Sequence, residues 1–126
     1  MNLPPAQSAQ LANSLRKRLN CEVLLDNHSR ALYSTDASVY QIMPLGIVLP
    51  RTREDVVAVH QFAAEEGLAI IPSGGGTSLS GQSIGPGLII DFSKHMRAID
   101  IDSTSLTARV QPGVVLDQFN AAAAPL

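Results

Sequence analysis

Two short apolar runs, Ile47-Val48-Leu49 and Leu68-Ala69-Ile70-Ile71, stand on either side of a single helical stretch. Neither run alternates with polar residues, so each reads as a strand buried on both faces, the signature of a parallel sheet covered by helices. The first is closed by Pro50. Thr52 then stands in the N-cap position, with Glu54 and Asp55 in the first turn where the macrodipole favours acids. Val56, Val59 and Ala63 fall on one helical face, flanked by Val57 and Phe62, and Glu65-Glu66-Gly67 ends the helix with a glycine at C′. Strand, helix and strand make a βαβ unit. A third apolar run, Leu88-Ile89-Ile90-Asp91-Phe92, supplies another strand.

The flanks are of different character. Leu11, Leu15 and Leu19 recur every four residues, which predicts an amphipathic helix from Gln7 to Leu19, preceded by Pro4-Pro5. Its closing Arg16-Lys17-Arg18 reads as a solvated last turn. Cys21 to Ala37 stays open between strand and helix. After residue 95, Ala98–Asp102 and Leu106–Gln111 alternate apolar with polar residues, as half-exposed antiparallel strands joined by Ser103-Thr104-Ser105 do. Gln111-Pro112-Gly113 is a turn, and Val114 onward, with Leu116 and Phe119, is expected to start a helix. The fold class is α+β: a small βαβ-containing parallel sheet with helices, then the start of a second, antiparallel α+β subdomain. The expected divisions are 1–34, a helical lead-in; 35–95, the first subdomain; and 96–126, the start of the second. The alanine-rich Asn120–Leu126 has neither polar tail nor cap, so the chain is expected to be part of a larger protein.

Composition narrows the function. Of 126 residues, 45% are hydrophobic and the net charge is −2, which leaves no basic field for nucleic acid; with no Trp, two Tyr and three Phe, base-stacking platforms lack material. One cysteine, Cys21, excludes an internal disulfide or a multi-cysteine metal site and fits a reducing cytoplasm. Met1-Asn2-Leu3-Pro4-Pro5 has no basic or long apolar segment of the kind that opens a secretory signal. No run approaches the roughly 20 apolar residues of a transmembrane helix.

The chemistry is concentrated in Pro72-Ser73-Gly74-Gly75-Gly76-Thr77-Ser78-Leu79-Ser80-Gly81-Gln82-Ser83, directly after the second strand. Three adjacent glycines cost much conformational entropy to order, which points to a ligand as their reason. Successive amide groups in such a loop form an anion-binding concavity. The dinucleotide fingerprint fails, because Leu79 stands at its last glycine. The triphosphate-binding pattern fails as well, because Gln82 stands where a lysine is required and Ile84-Gly85-Pro86-Gly87 leads into a strand instead of a helix.

The segment Pro72–Gln82 closely resembles the flavin diphosphate loop of the FAD-binding domain shared by vanillyl-alcohol oxidase, p-cresol methylhydroxylase and the FAD-linked D-lactate and glycolate dehydrogenases. Thr35–Gln41, Pro44–Pro50, Glu54-Asp55-Val56, Leu88–Ser93 and Val110–Val114 resemble further landmarks, in family order, over roughly residues 30 to 120. Asp36-Ala37-Ser38-Val39-Tyr40-Gln41 together with Gly81-Gln82-Ser83 is most similar to the 2-hydroxy-acid dehydrogenase branch (D-lactate, glycolate and 2-hydroxyglutarate dehydrogenases). The longest such members carry a C-terminal iron–sulfur region, which would lie beyond residue 126.

The resemblance implies that the amides of Gly74, Gly75, Gly76, Thr77 and Ser78 hold the FAD diphosphate and that the Thr77 and Ser78 hydroxyls add hydrogen bonds. Pro72 and Ser73 lead into this cradle, Gly81, Gln82 and Ser83 return past the cofactor, and Pro112-Gly113 is the turn that approaches the flavin. Ser73 replaces an arginine common in the family. No histidine lies between Ile70 and Asp91, which implies a noncovalent flavin at this loop. The implied reaction of the intact protein is oxidation of a D-2-hydroxy acid to a 2-oxo acid by hydride transfer to FAD. An electron acceptor would follow, at a cytoplasmic or inner-membrane-peripheral location, and the catalytic base would lie outside this chain. The rival readings are an alcohol oxidase or reductase on the same domain, and a non-catalytic module binding another phosphate ligand. Among single residues, His28, His60 and His95 show no metal spacing, Cys21 reads as buried, Tyr40 as structural or near the cofactor, and Asp91 as a turn residue bonding backbone. Unpaired strands of a second subdomain would leave the chain prone to self-association.

Overall fold

The computed structural model of the chain describes residues 5–125, so Met1–Pro4, with the reading of the first residues as no secretory signal, and Leu126 lie outside the described residues. The elements run α1 (Pro5–Arg18), β1 (Glu22–Leu24), α2 (Asn27–Leu32), β2 (Gly46–Leu49), α3 (Arg53–Glu65), β3 (Ile70–Ser73), β4 (Leu88–Asp91), β5 (Ile99–Asp102), β6 (Thr107–Val110) and α4 (Leu116–Ala123). The first four strands form one sheet in the order β1-β2-β4-β3, and β5 pairs with β6 in a separate ribbon.

The parallel core of the sheet is built from the three apolar runs. β4 lies between β2 and β3 and is parallel to both, with Ile89 level with Ile47 on one side and Ile71 on the other. Side chains alternate between two buried faces. Val48, Leu88 and Ile90 face α1 and α3, where Leu15, Leu19, Val59 and Phe62 complete the larger core. Ile47, Leu49, Ile71 and Ile89 form the second cluster, with Leu24 and Tyr33 packed against it. Burial on both sides explains why β2 and β4 carry no polar alternation. β3, at the sheet edge, runs Ile70–Ser73 instead of the expected Leu68–Ile71 and is buried mainly through Ile71 and Ser73, with Pro72 exposed on the other face.

The cap expected on α3 is present in full. Thr52 Oγ1 accepts from the Asp55 N–H at 3.2 Å, and the Asp55 carboxylate accepts from the Thr52 N–H at 3.0 Å. Gly67 follows the helix at φ 64, the left-handed conformation of a C′ glycine. Arg18 joins α1 to α3 through Glu65, and its guanidinium lies 5.3 Å from the centre of the Phe62 ring.

Other parts differ from the sequence expectation. Cys21–Ala37 holds both a strand and a helix: β1 pairs antiparallel with β2, so the sheet is mixed, and α2 is capped by Asp26, whose side chain accepts from the Ser29 N–H at 2.9 Å. β5 is half-buried on alternate residues, but all four residues of β6 are exposed, because among the described residues only β5 pairs with it. Leu106 belongs to the connecting turn at φ 54. α4 starts at Leu116, after Val115, which offers no side-chain cap.

Candidate functional site

The loop from residue 74 to residue 87 leaves the carboxyl end of β3, beside the carboxyl end of β4, where Ser73 is level with Asp91. Ligands of open α/β sheets bind at such ends. Ser73 is buried there, and its carbonyl accepts from the Phe92 N–H at 3.0 Å; Pro72 is an exposed strand residue level with Ile90. Both therefore hold the loop's root.

The glycines of the loop have two different physical reasons. Gly76 sits at φ 64, a conformation L side chains rarely adopt. Gly74 and Gly75 have ordinary backbone angles, and a Cβ on either would meet nothing closer than 3.6 Å, from Pro112 O and Thr77 Cγ2 respectively. Internal packing thus leaves room that these two glycines do not use. Moreover, none of the five amide N–H groups from Gly74 to Ser78 donates to an acceptor among the described residues. Five consecutive free donors over open space fit an anion such as a diphosphate, which takes hydrogen bonds from main-chain amides without a side-chain cation.

The hydroxyls of the loop are not equivalent. Ser78 Oγ accepts from the N–H groups of Ser80 (3.2 Å) and Gln82 (3.0 Å) and donates to Gln82 Oε1. Its one proton and two lone pairs are all used. The hydrogen bond expected from the Ser78 hydroxyl to a phosphate is therefore replaced by an internal one, and only its amide remains free. Thr77 is exposed, and its hydroxyl has no partner among the described residues. Gln82 is oriented by Ser78 with its oxygen inward, which leaves its NH2 as the outward donor.

A connection that sequence reasoning did not assign to this loop braces it from the side. It runs from Tyr33, at the end of α2, to β2. Tyr33 donates its hydroxyl to Asp91 Oδ2 at 2.5 Å, and Asp91 Oδ1 accepts from the Ser93 N–H at 2.8 Å. Burial, and then the Asp91 hydrogen bond, push the Tyr33 phenol well above its ordinary pKa. Ser34 is fully buried, donates to Ala31 O and accepts from Gln41 Nε2. Thr35 and Gln41 form an antiparallel bridge that closes the segment. From it the Ala37 N–H reaches Gly76 O at 3.1 Å, and Asp36 Oδ2 accepts from Ser83 Oγ at 3.0 Å. A Cβ on Gly81 would lie 3.1 Å from the Tyr40 ring. Hydrogen bonding from Ser38 foremost, and from Ser83, holds the Asp36 carboxyl below the usual carboxylate range.

The remaining candidates divide by geometry. Pro112 O faces Gly74, so the Pro112-Gly113 turn adjoins the cradle, but Gly113 itself is buried for a packing reason: a Cβ there would stand 2.1 Å from Phe92 O. Cys21 is half-buried, and desolvation pushes its thiol up, so it is not an activated nucleophile. His60 is exposed, with Nδ1 2.9 Å from Val56 O, and His95 Nε2 is buried without a partner among the described residues. The described residues contain no group of three His, Cys, Asp or Glu able to hold a metal, and no helix long and apolar enough to cross a membrane.

The sequence profile of a family described as "FAD binding domain" matches residues 44–126. D-2-hydroxyglutarate dehydrogenase of Escherichia coli (strain K12) is 42% identical over 95 residues, covering 72% of this chain and 9% of that protein. Glycolate oxidase subunit GlcD of Bacillus subtilis (strain 168) is 40% identical over 100 residues, 75% of this chain and 21% of that subunit. The chain thus spans from about a tenth to a fifth of these relatives. The fold is shared with 4-ethylphenol oxidase from Gulosibacter chungangensis at a TM-score of 0.81 and 19% identity, over 98% of this chain and 25% of that one.

Proposed function

The chain belongs to the FAD binding domain family, and we propose on that premise that it supplies the diphosphate-holding part of the cofactor domain of an enzyme oxidising a 2-hydroxy acid to a 2-oxo acid. The observation that carries the reading is the row of five amides from Gly74 to Ser78 without partners among the described residues, on a loop where an added Cβ at Gly74, Gly75 or Gly76 would meet nothing closer than 3.6 Å. Bound flavin supplies the two-electron acceptor for the hydride on the substrate's Cα. This chain's part is to bind and orient. The amides of residues 74–78 take the diphosphate, Thr77 Oγ1 and Gln82 Nε2 are the side-chain donors free to join them, and Ser73, Ser78 and Asp91 hold the loop's frame. The absence of a histidine from residue 71 to residue 90 supports a flavin held without a covalent bond at this loop. The general base is taken to come from outside residues 1–126.

The 2-hydroxy acid rests on the names of the relatives at 42% and 40% identity. Anaerobic mixing of the intact protein with D-2-hydroxyglutarate, glycolate and L-2-hydroxyglutarate tests it. Bleaching of the flavin bands by a D-acid or by glycolate, but not by the L-enantiomer, is the expected result. A flavin that none of them bleaches, yet dithionite reduces, would move the protein to another substrate class.

A further inference from the structure

The hydrogen bond between Ser83 and Asp36 has a fixed direction. The Asp36 carboxyl is ionised at neutral pH and accepts only; Oδ1 takes the Ser38 N–H at 2.9 Å and Oδ2 takes the Ser83 hydroxyl at 3.0 Å. Ser83 has one proton and spends it there. What its part-exposed oxygen presents to a neighbour is lone pairs. A phosphate oxygen offers lone pairs too and repels such a group, whereas a hydroxyl or imide N–H is bound by it.

We propose that Asp36 is a positioning residue that fixes Ser83 as a hydrogen-bond acceptor, so that Ser83 takes a donor group of the bound cofactor and not its diphosphate. The inference rests on the FAD reading and divides the loop by polarity. Residues 74–78 donate to the anion. At the returning end, Ser83 accepts from a hydroxyl of a sugar or ribityl chain, or from the flavin imide. Asp36 comes from a segment 47 residues away, and the Ala37–Gly76 bond sets the same segment against the donor end, so one connection registers both halves.

Asp36→Asn inverts this polarity with almost no change of shape. The Ser38 N–H still requires an oxygen, so the Asn NH2 faces Ser83, donates to it and turns the Ser83 proton outward. The intact protein is stripped of flavin and titrated with FAD, with FMN as a second ligand, and its melting temperature is followed. Asp36→Asn is expected to weaken FAD about tenfold with little change in melting temperature, the scale of one opposed hydrogen bond. Ser83→Ala is expected to weaken it less, Ser83→Thr to restore it, and Asp36→Asn to add nothing in the Ser83→Ala background. The same loss with FMN places the donor on the flavin half of the cofactor; a loss with FAD alone places it on the adenosine half. A wild-type protein that takes up no FAD would remove the cofactor reading itself. Wild-type FAD binding with an unaffected Asp36→Asn, with additive Asp36 and Ser83 effects, or with a loss of affinity that follows a fall in melting temperature would overturn this inference alone.

Discussion

At the scale of the residue, the site is a matter of which hydrogen-bonding groups remain free. Gly75 illustrates it: its backbone is ordinary and a Cβ has room, so Gly75→Asp costs little in the fold. It would place a side chain and a negative charge where five amides await an anion. That variant of the intact protein is expected to melt near the wild-type temperature and to lose its flavin; retained flavin would remove this loop from the cofactor site. A second prediction concerns pH. The Tyr33 phenol is raised above its ordinary value of 10.0, first by burial and then by Asp91. The unfolded chain therefore loses this proton before the folded one does, and the contribution is complete below pH 10 and fades as pH rises through the folded value. Tyr33→Phe is expected to be less stable at neutral pH and to show a shallower alkaline decline in denaturant midpoint. Equal declines in both proteins would contradict the assignment. The role of Gly75 was legible in the sequence; that of Tyr33 was not, because it meets a partner 58 residues away.

Secondary-structure elements divide into those held by local chemistry and those held by distant contacts. α3 was legible from its cap: Thr52 and Asp55 bond reciprocally within one turn, and a four-residue pattern suffices to see it. Thr52→Ala is expected to cost about 1 kcal/mol of stability, measured by urea denaturation; no change would mean the box is redundant with packing. β2 and β4 were legible because burial on both faces writes a continuous apolar run; β3 was legible as a strand, but pairing with β4 places it two residues later than its apolar run. β1 and α2 were not, since three half-buried strand residues and six helical ones carry too short a pattern, and their places are set by pairing to β2 and by Asp26. The β5–β6 alternation was legible, but its burial was overestimated, since nothing described covers β6. A two-stranded ribbon of this kind is marginal alone. Its amides at residues 107–110 are expected to exchange with solvent far faster than those of β4 in the 126-residue chain, and equal protection would show that something packs there.

For the whole molecule, the fold brings a glycine loop, a bracing segment and the Pro112 turn to the carboxyl ends of the parallel strands of one mixed sheet. The donor row was foreseeable from three glycines and small hydroxyl residues. The brace was not, since Asp36 and Ser83, like Ala37 and Gly76, meet only through the tertiary fold, and neither was the internal use of the Ser78 hydroxyl. We propose that this arrangement holds FAD. The most direct test is the visible absorption spectrum of the purified intact protein, recorded before and after acid precipitation. Flavin bands that pass wholly into the supernatant are the predicted result, and they identify a noncovalent flavoprotein. A colourless protein that takes up no FAD on incubation would contradict the account.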